Sequence, residues 1–215
     1  MAEGRFLDLR RHLPSSAFVG LLLLVMAAFV GVFIYVGVYN IGADAPHSKL
    51  VYETLNQLRE RAIKHHSRDI VPPADLADPK RIAAGAGLYA EMCTGCHLGP
   101  GMEKSELSQG LYPPAPELAR PSDRSAAQQF WIIKHGVKLS AMPAWGRTHD
   151  DQLIWNMVAF VRTLSKLSPE QYKAALANAP ADHDEMMKGM QGMMVGHSRE
   201  SGSEAEHPHQ HKHAH

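Results

Sequence analysis

Only two of the 215 residues are cysteine, and they stand at positions 93 and 96. No spare thiols remain for a disulfide framework, and a four-ligand zinc site would need a second Cys/His pair at matching spacing near the folded part of the chain. Strand-then-helix alternation is also missing, which sets aside a thioredoxin-like dithiol. Net charge is absent as well: 22 Lys and Arg stand against 22 Asp and Glu, so nothing in the charge balance points to nucleic acid. The last absence is local. From Ala17 to Tyr39 there is not one charged residue.

That gap defines the first part of the chain. Twenty-three residues at a helical rise of about 1.5 Å reach about 34 Å, enough to cross a hydrocarbon core of about 30 Å with some tilt. A cleaved signal peptide would have a shorter apolar region, and Ala43-Asp44-Ala45 lies too far beyond the run to serve it, with Pro46 following the cut. The expectation is an uncleaved single-pass anchor over 17–39, preceded by a cytoplasmic N-terminus over 1–16. Arg5, Arg10 and Arg11 precede the span and only Lys49 follows closely, so the positive-inside rule places everything after Asn40 outside the cytoplasm, in the periplasm of a bacterial inner membrane.

What is present is Cys93-Thr94-Gly95-Cys96-His97. Two thiols three positions apart can each add across one vinyl group of a haem, and the imidazole that follows lands where it can bind the iron. With no further cysteines, the chain has room for one covalently held haem c. Around the motif the pattern is all-α. In the segment 40–78, Ser48 to His66 carries Val51, Leu55, Leu58 and Ala62 on one face, a juxtamembrane helix whose seam could meet a partner subunit, its own haem domain or a second copy. After Val71-Pro72-Pro73, Asp78 caps a helix starting at Pro79 and running to about Met92, with Gly85 and Gly87 implying a close neighbouring backbone. From Leu98 to Pro121 periodicity is lost in an extended loop. Order returns with a capping box at Ser125 and Gln128 in a helix that stops at Gly136; Thr148 with Asp151 starts a last domain helix with Leu153, Ile154, Met157, Val158, Val161 and Leu164 on its apolar face. Ser168 and Pro169 open a short helix within 168–180.

Taken together, residues 79–167 resemble the class I cytochromes c, over about two fifths of the chain. Gly87-Leu88-Tyr89 is similar to the family's first helix and Trp155 to Phe160 to its last, while Phe130 to Gly136 followed by Met142-Pro143-Ala144-Trp145 resembles the distal side of small bacterial members. The resemblance implies that Cys93 and Cys96 hold the haem, that His97 is the proximal ligand and Met142 the distal one. Met92 and Met102 are rivals near the motif, whereas Met157 reads as core. It also implies a proline carbonyl accepting from the proximal ring, with Pro116 the better match and Pro100 the alternative. A His/Met pair leaves no open iron position, which implies an electron carrier rather than an enzyme, exchanging single electrons with inner-membrane or periplasmic redox proteins. It could work as a tethered shuttle or as a complex subunit, with residues 51–62 a possible surface for a complex or a homodimer.

The tail from 181 to 215 changes composition. Met186, Met187, Met190, Met193 and Met194 fall at helical spacing, and His207, His209, His211, His213 and His215 alternate to the end. Thioethers suit Cu(I) and imidazoles suit Cu(II), nickel or zinc, so copper is favoured where both ligand types occur together. The tail is therefore expected to be disordered, either binding copper or packing its methionines on a membrane or partner. A copper-handling or redox-sensing protein is the second reading of the chain. A third, an enzyme with an open haem position, would bind carbon monoxide strongly.

Overall fold

The computed structural model describes residues 15–180, and their regular structure is helical throughout. Two compact units divide the chain, 1–45 and 46–215.

The first unit holds α1 (Ser16–Val36), the one described helix long and apolar enough to cross a membrane, with a mean hydropathy of 2.9. Ser15 caps it, accepting from the Phe18 amide at 3.2 Å. Its end falls three residues short of the charge-free run. Gly37 turns left-handed at φ 67° and its amide bonds the Ile34 carbonyl at 3.1 Å, which closes the helix. The remaining 21 residues still reach about 31 Å.

In the second unit, α3 (Pro79–Met92) starts at the expected cap, Asp78, and α2 (Lys49–His66) is capped by Ser48, the first residue of the expected stretch. Then come the single turns α4 (Thr94–His97) and α5 (Glu106–Gln109), followed by α6 (Ala126–His135), α7 (Asp151–Leu164) and α8 (Pro169–Ala177). Three details differ from the sequence expectation. The stretch 98–121 contains α5, because Ser105 accepts from the Ser108 amide and supplies a cap. The cap of α7 is Asp150, which accepts from the Leu153 amide at 2.9 Å, whereas the Thr148 hydroxyl is paired with His149 Nδ1. A 3-10 turn, Trp145–Arg147, stands inside the loop before α7.

Helix α7 is the centre. All six residues of its expected apolar face are buried, and so are Trp155, Ala159 and Phe160. A helix apolar on most sides must be covered on most sides. On one side lies α3, where an added Cβ on Gly85 would sit 1.9 Å from the Asn156 carbonyl oxygen, so the two backbones approach as only glycine allows. Gly87 has no such role, its nearest neighbour being Ala179 at 3.5 Å. On another side lies α6, with Phe130 stacked on Trp155 at 4.2 Å. The core also continues past residue 167. Tyr172 of α8 is 2% exposed and packs against both Tyr89 and Phe160.

Helix α2 lies on α6 of its own unit. His66 stacks on Trp131 at 5.6 Å, and Ile63 is 2% exposed. Leu58, expected on the packing seam, is 65% exposed. The buried face is rotated toward Arg59 and Ile63.

Candidate functional site

The Cys-x-x-Cys-His turn is held by α3, which leads into it, and by Tyr172 of α8. Cys93 ends α3, its amide bonding the Tyr89 carbonyl at 3.0 Å, and the His97 amide returns to the Cys93 carbonyl at 2.9 Å. Thr94 Oγ1 donates to the same Tyr89 carbonyl at 3.0 Å and lies 3.1 Å from the Tyr172 hydroxyl. Leu98, in the left-handed region at φ 60°, follows the turn, and its carbonyl accepts from the buried Tyr89 hydroxyl at 2.6 Å.

Cys93 and Cys96 form no disulfide. Burial pushes the Cys93 thiol up to about 12, with the neighbouring Cys96 adding to the effect. A redox dithiol needs the opposite, a thiol that ionises readily near neutral pH. The ring of His97 has its Nδ1 2.9 Å from the Pro116 carbonyl oxygen. A carbonyl only accepts, so Nδ1 carries the proton and the Nε2 lone pair is left for a metal. Burial pulls His97 below the ordinary histidine value, opposed by the Pro116 bond, so the ring is neutral at pH 7, the form that ligates.

Met142 stands in the loop after α6, and that loop is tightly closed. Gly136 adopts φ 66°, and a Cβ there would lie 2.7 Å from the Met142 carbonyl oxygen. The Val137 amide donates to that same oxygen at 3.1 Å, and the Met142 amide donates to Ser140 Oγ at 3.2 Å.

One cavity of about 510 Å³ is lined by Cys93, Cys96, His97, Pro116 and Met142 together. That volume is in the range of cofactor pockets. Two thiols, a neutral imidazole with a free Nε2 and a thioether, among apolar walls rich in proline, make a donor set that fits a covalently attached haem. Of the other methionines, Met92 also lines the cavity, Met102 is 42% exposed and not on its wall, and Met157 is fully buried in the core. Pro100 is not among the lining residues.

Residues 80–161 match the family model described as cytochrome C oxidase, cbb3-type, subunit III. This stretch is a c-type cytochrome domain. As such it holds haem c covalently and serves electron transfer. The match spans less than half of the chain, and no curated protein and no solved structure matches.

The cytochrome domain has wall residues that the sequence did not reveal. Tyr52, Arg59 and Ile63 of α2 line the cavity, as do Arg120 and Arg124 of the segment before α6. Positions 52, 59 and 63 share a helical face, so the periodic signal existed, but an arginine in its middle reads as a solvated surface. Among the described residues no group of three or more His, Cys, Asp or Glu could hold a metal ion. The tail methionines Met186, Met187, Met190, Met193 and Met194, and the alternating histidines from His207 to His215, lie outside the described residues.

Proposed function

We propose that this protein is a membrane-anchored, single-haem c-type cytochrome that relays one electron at a time between respiratory redox partners on the periplasmic side of a bacterial inner membrane. The observation that carries this reading is a single cavity lined by both thiols, by Met142 and by an imidazole whose Nδ1 is already engaged by Pro116.

In this reading Cys93 and Cys96 would hold the haem through two thioether links, and His97 and Met142 would ligate its iron. The bound haem iron supplies the one-electron couple. The chain's contribution is to keep the ligands still. Pro116 fixes the imidazole and makes it a better donor, and the closed loop from Gly136 to Met142 holds the thioether in place, so little reorganises when the charge changes. A thioether ligand favours the reduced state and raises the potential. With His97 and Met142 both ligating, the iron would offer no site for a substrate, and outer-sphere transfer would remain.

Helix α1 supports the anchor, and the arginines at 5, 10 and 11 support the orientation. The matched family's description as an oxidase subunit supports a terminal oxidase as the electron acceptor. The test is the visible spectrum of purified protein with and without Met142→Ala. The weak long-wavelength band of Fe(III)–thioether ligation is expected in the wild type and lost in the variant, together with a fall in midpoint potential. A spectrum and potential unmoved by the substitution would overturn the ligand assignment, and colourless protein would overturn the whole reading.

A further inference from the structure

Helix α2 lies outside the matched region, yet it is fixed against the cavity along its length. Just before it, the His47 amide donates to the Tyr112 hydroxyl at 2.9 Å. Toward its middle, Glu60 accepts from Arg124 Nη2 at 2.7 Å. At its end, His66 stacks on Trp131. Between these ties, Tyr52, Arg59 and Ile63 form part of the cavity wall.

The charges on that wall do not balance. Among the described lining residues the cations are Arg59, Arg120 and Arg124, and the one carboxylate is Glu117. Arg120 is paired with Glu117 at 2.6 Å. Arg124 takes Glu60, the carboxylate standing behind the wall, at 2.7 Å, and Arg59 reaches the same Glu60 oxygen only at 3.4 Å. Two guanidiniums therefore share one carboxylate oxygen, and one positive charge is left over. The Nη2 of Arg59 donates to Asn56 Oδ1, which steadies the side chain, and its Nη1 donates to no described residue. A planar guanidinium held at two atoms and open at the third is set up for a carboxylate. Haem has two of them.

We propose that Arg59 binds a haem carboxylate, so that α2 is a wall of the haem pocket and not a spacer between the membrane and the cytochrome domain. The proposal rests on the haem c reading above. Asn56 and Glu60 orient the guanidinium from within α2, and Arg124 neutralises Glu60 so that it does not draw Arg59 away. The fixed charge beside the porphyrin favours the reduced iron, which is the less positive state.

The test uses full-length holoprotein carrying Arg59→Gln, Arg59→Lys or, as a control of equal charge on the exposed side of α2, Arg61→Gln. The Fe(III)/Fe(II) equilibrium should shift toward Fe(III) in Arg59→Gln by up to about tenfold, about 59 mV for one electron. It should be largely restored in Arg59→Lys and unmoved in Arg61→Gln. Resonance Raman supplies a second readout, since the haem carboxylate bending band should move in Arg59→Lys, which keeps the charge but loses the fork. A coloured protein in which Arg59→Gln and Arg61→Gln have the same potential, or in which Arg59→Lys leaves that band in place, would overturn the proposal. Colourless wild-type protein would instead overturn the haem reading beneath it.

Discussion

Two glycines two positions apart on α3 should respond to the same substitution with opposite signs. An alanine methyl at 85 would lie 1.9 Å from the Asn156 carbonyl oxygen, 2.6 Å from its carbon and 2.9 Å from Phe160 Cβ. Two of these atoms are backbone of the central helix, so no side chain can swing aside. The helices must separate by about 1 Å, and a gap of that size forfeits about a quarter to a half of each dispersion contact across the seam. Over-packing of this kind costs about 1–3 kcal/mol, and more where backbone must move; the better helix propensity of alanine offsets about 1 kcal/mol. The net expectation for Gly85→Ala is a loss of about 1–2 kcal/mol, or a fall in Tm of about 4–16 °C for a domain this small. At Gly87 the nearest atoms are 3.5 Å and 3.6 Å away, ordinary contact, so the propensity gain stands alone and Gly87→Ala should melt about 4–8 °C higher than wild type. Far-ultraviolet circular dichroism of the two holoproteins, heated under the same conditions, measures both. If the variants melt together, or if Gly85→Ala melts at or above wild type, the close α3–α7 approach is not what sets the packing of this core.

Other perturbations follow from the same geometry. Tyr89→Phe removes the donor to the Leu98 carbonyl and leaves a buried acceptor unpaired, at a cost of about 1–3 kcal/mol in chemical denaturation. Partial burial raises the pKa of Glu60, but its hydrogen bonds and charge contacts with Arg124 and Arg59 outweigh this and hold it below the ordinary carboxylate range. Its folded value being lowered, the stability it contributes is present above the ordinary carboxylate pKa and lost as pH falls through the folded one. Glu60→Gln should therefore be less stable than wild type at neutral pH and converge with it in acid, and parallel stability curves down to that range would contradict the pairing. Gly136→Ala would place a Cβ 2.7 Å from the Met142 carbonyl oxygen at a left-handed φ, so the loop should shift and weaken the Fe(III)–thioether band while the Cys93 and Cys96 links keep the protein coloured. An unchanged band would mean that the loop does not depend on this contact.

The legible and the hidden parts of this molecule differ in what held them. The starts of α2, α3, α6 and α8 could be read because each has its cap in the local sequence, and Gly136 marks an end because its left-handed φ asks for glycine. The start of α7 could mislead because Thr148, Asp150 and Asp151 are all cap-forming types within one turn, and only the path of the 3-10 turn before it decides that Asp150 accepts the amide. Tyr172 gives no local sign of its core position, since the aromatic pair that receives it, Tyr89 and Phe160, belongs to two other helices and is brought together only by the α3–α7 packing.

The face of α2 was hidden for a more instructive reason. Hydrophobic periodicity selects Val51, Leu55, Leu58 and Ala62, yet Leu58 is exposed and the helix is turned so that Arg59 reaches the cavity. A search for apolar faces assumes that the helix packs against an apolar surface. This one packs against α6 where His66 stacks on Trp131, is tied to Arg124 through Glu60, and lines the cavity between, so its inner face has to carry Ile63, Tyr52 and a guanidinium together. A wall beside a cofactor with an apolar body and an anionic margin has that mixed pattern as its natural signature. The arginine that made the face look solvated is thus the residue that argues for its place in the pocket.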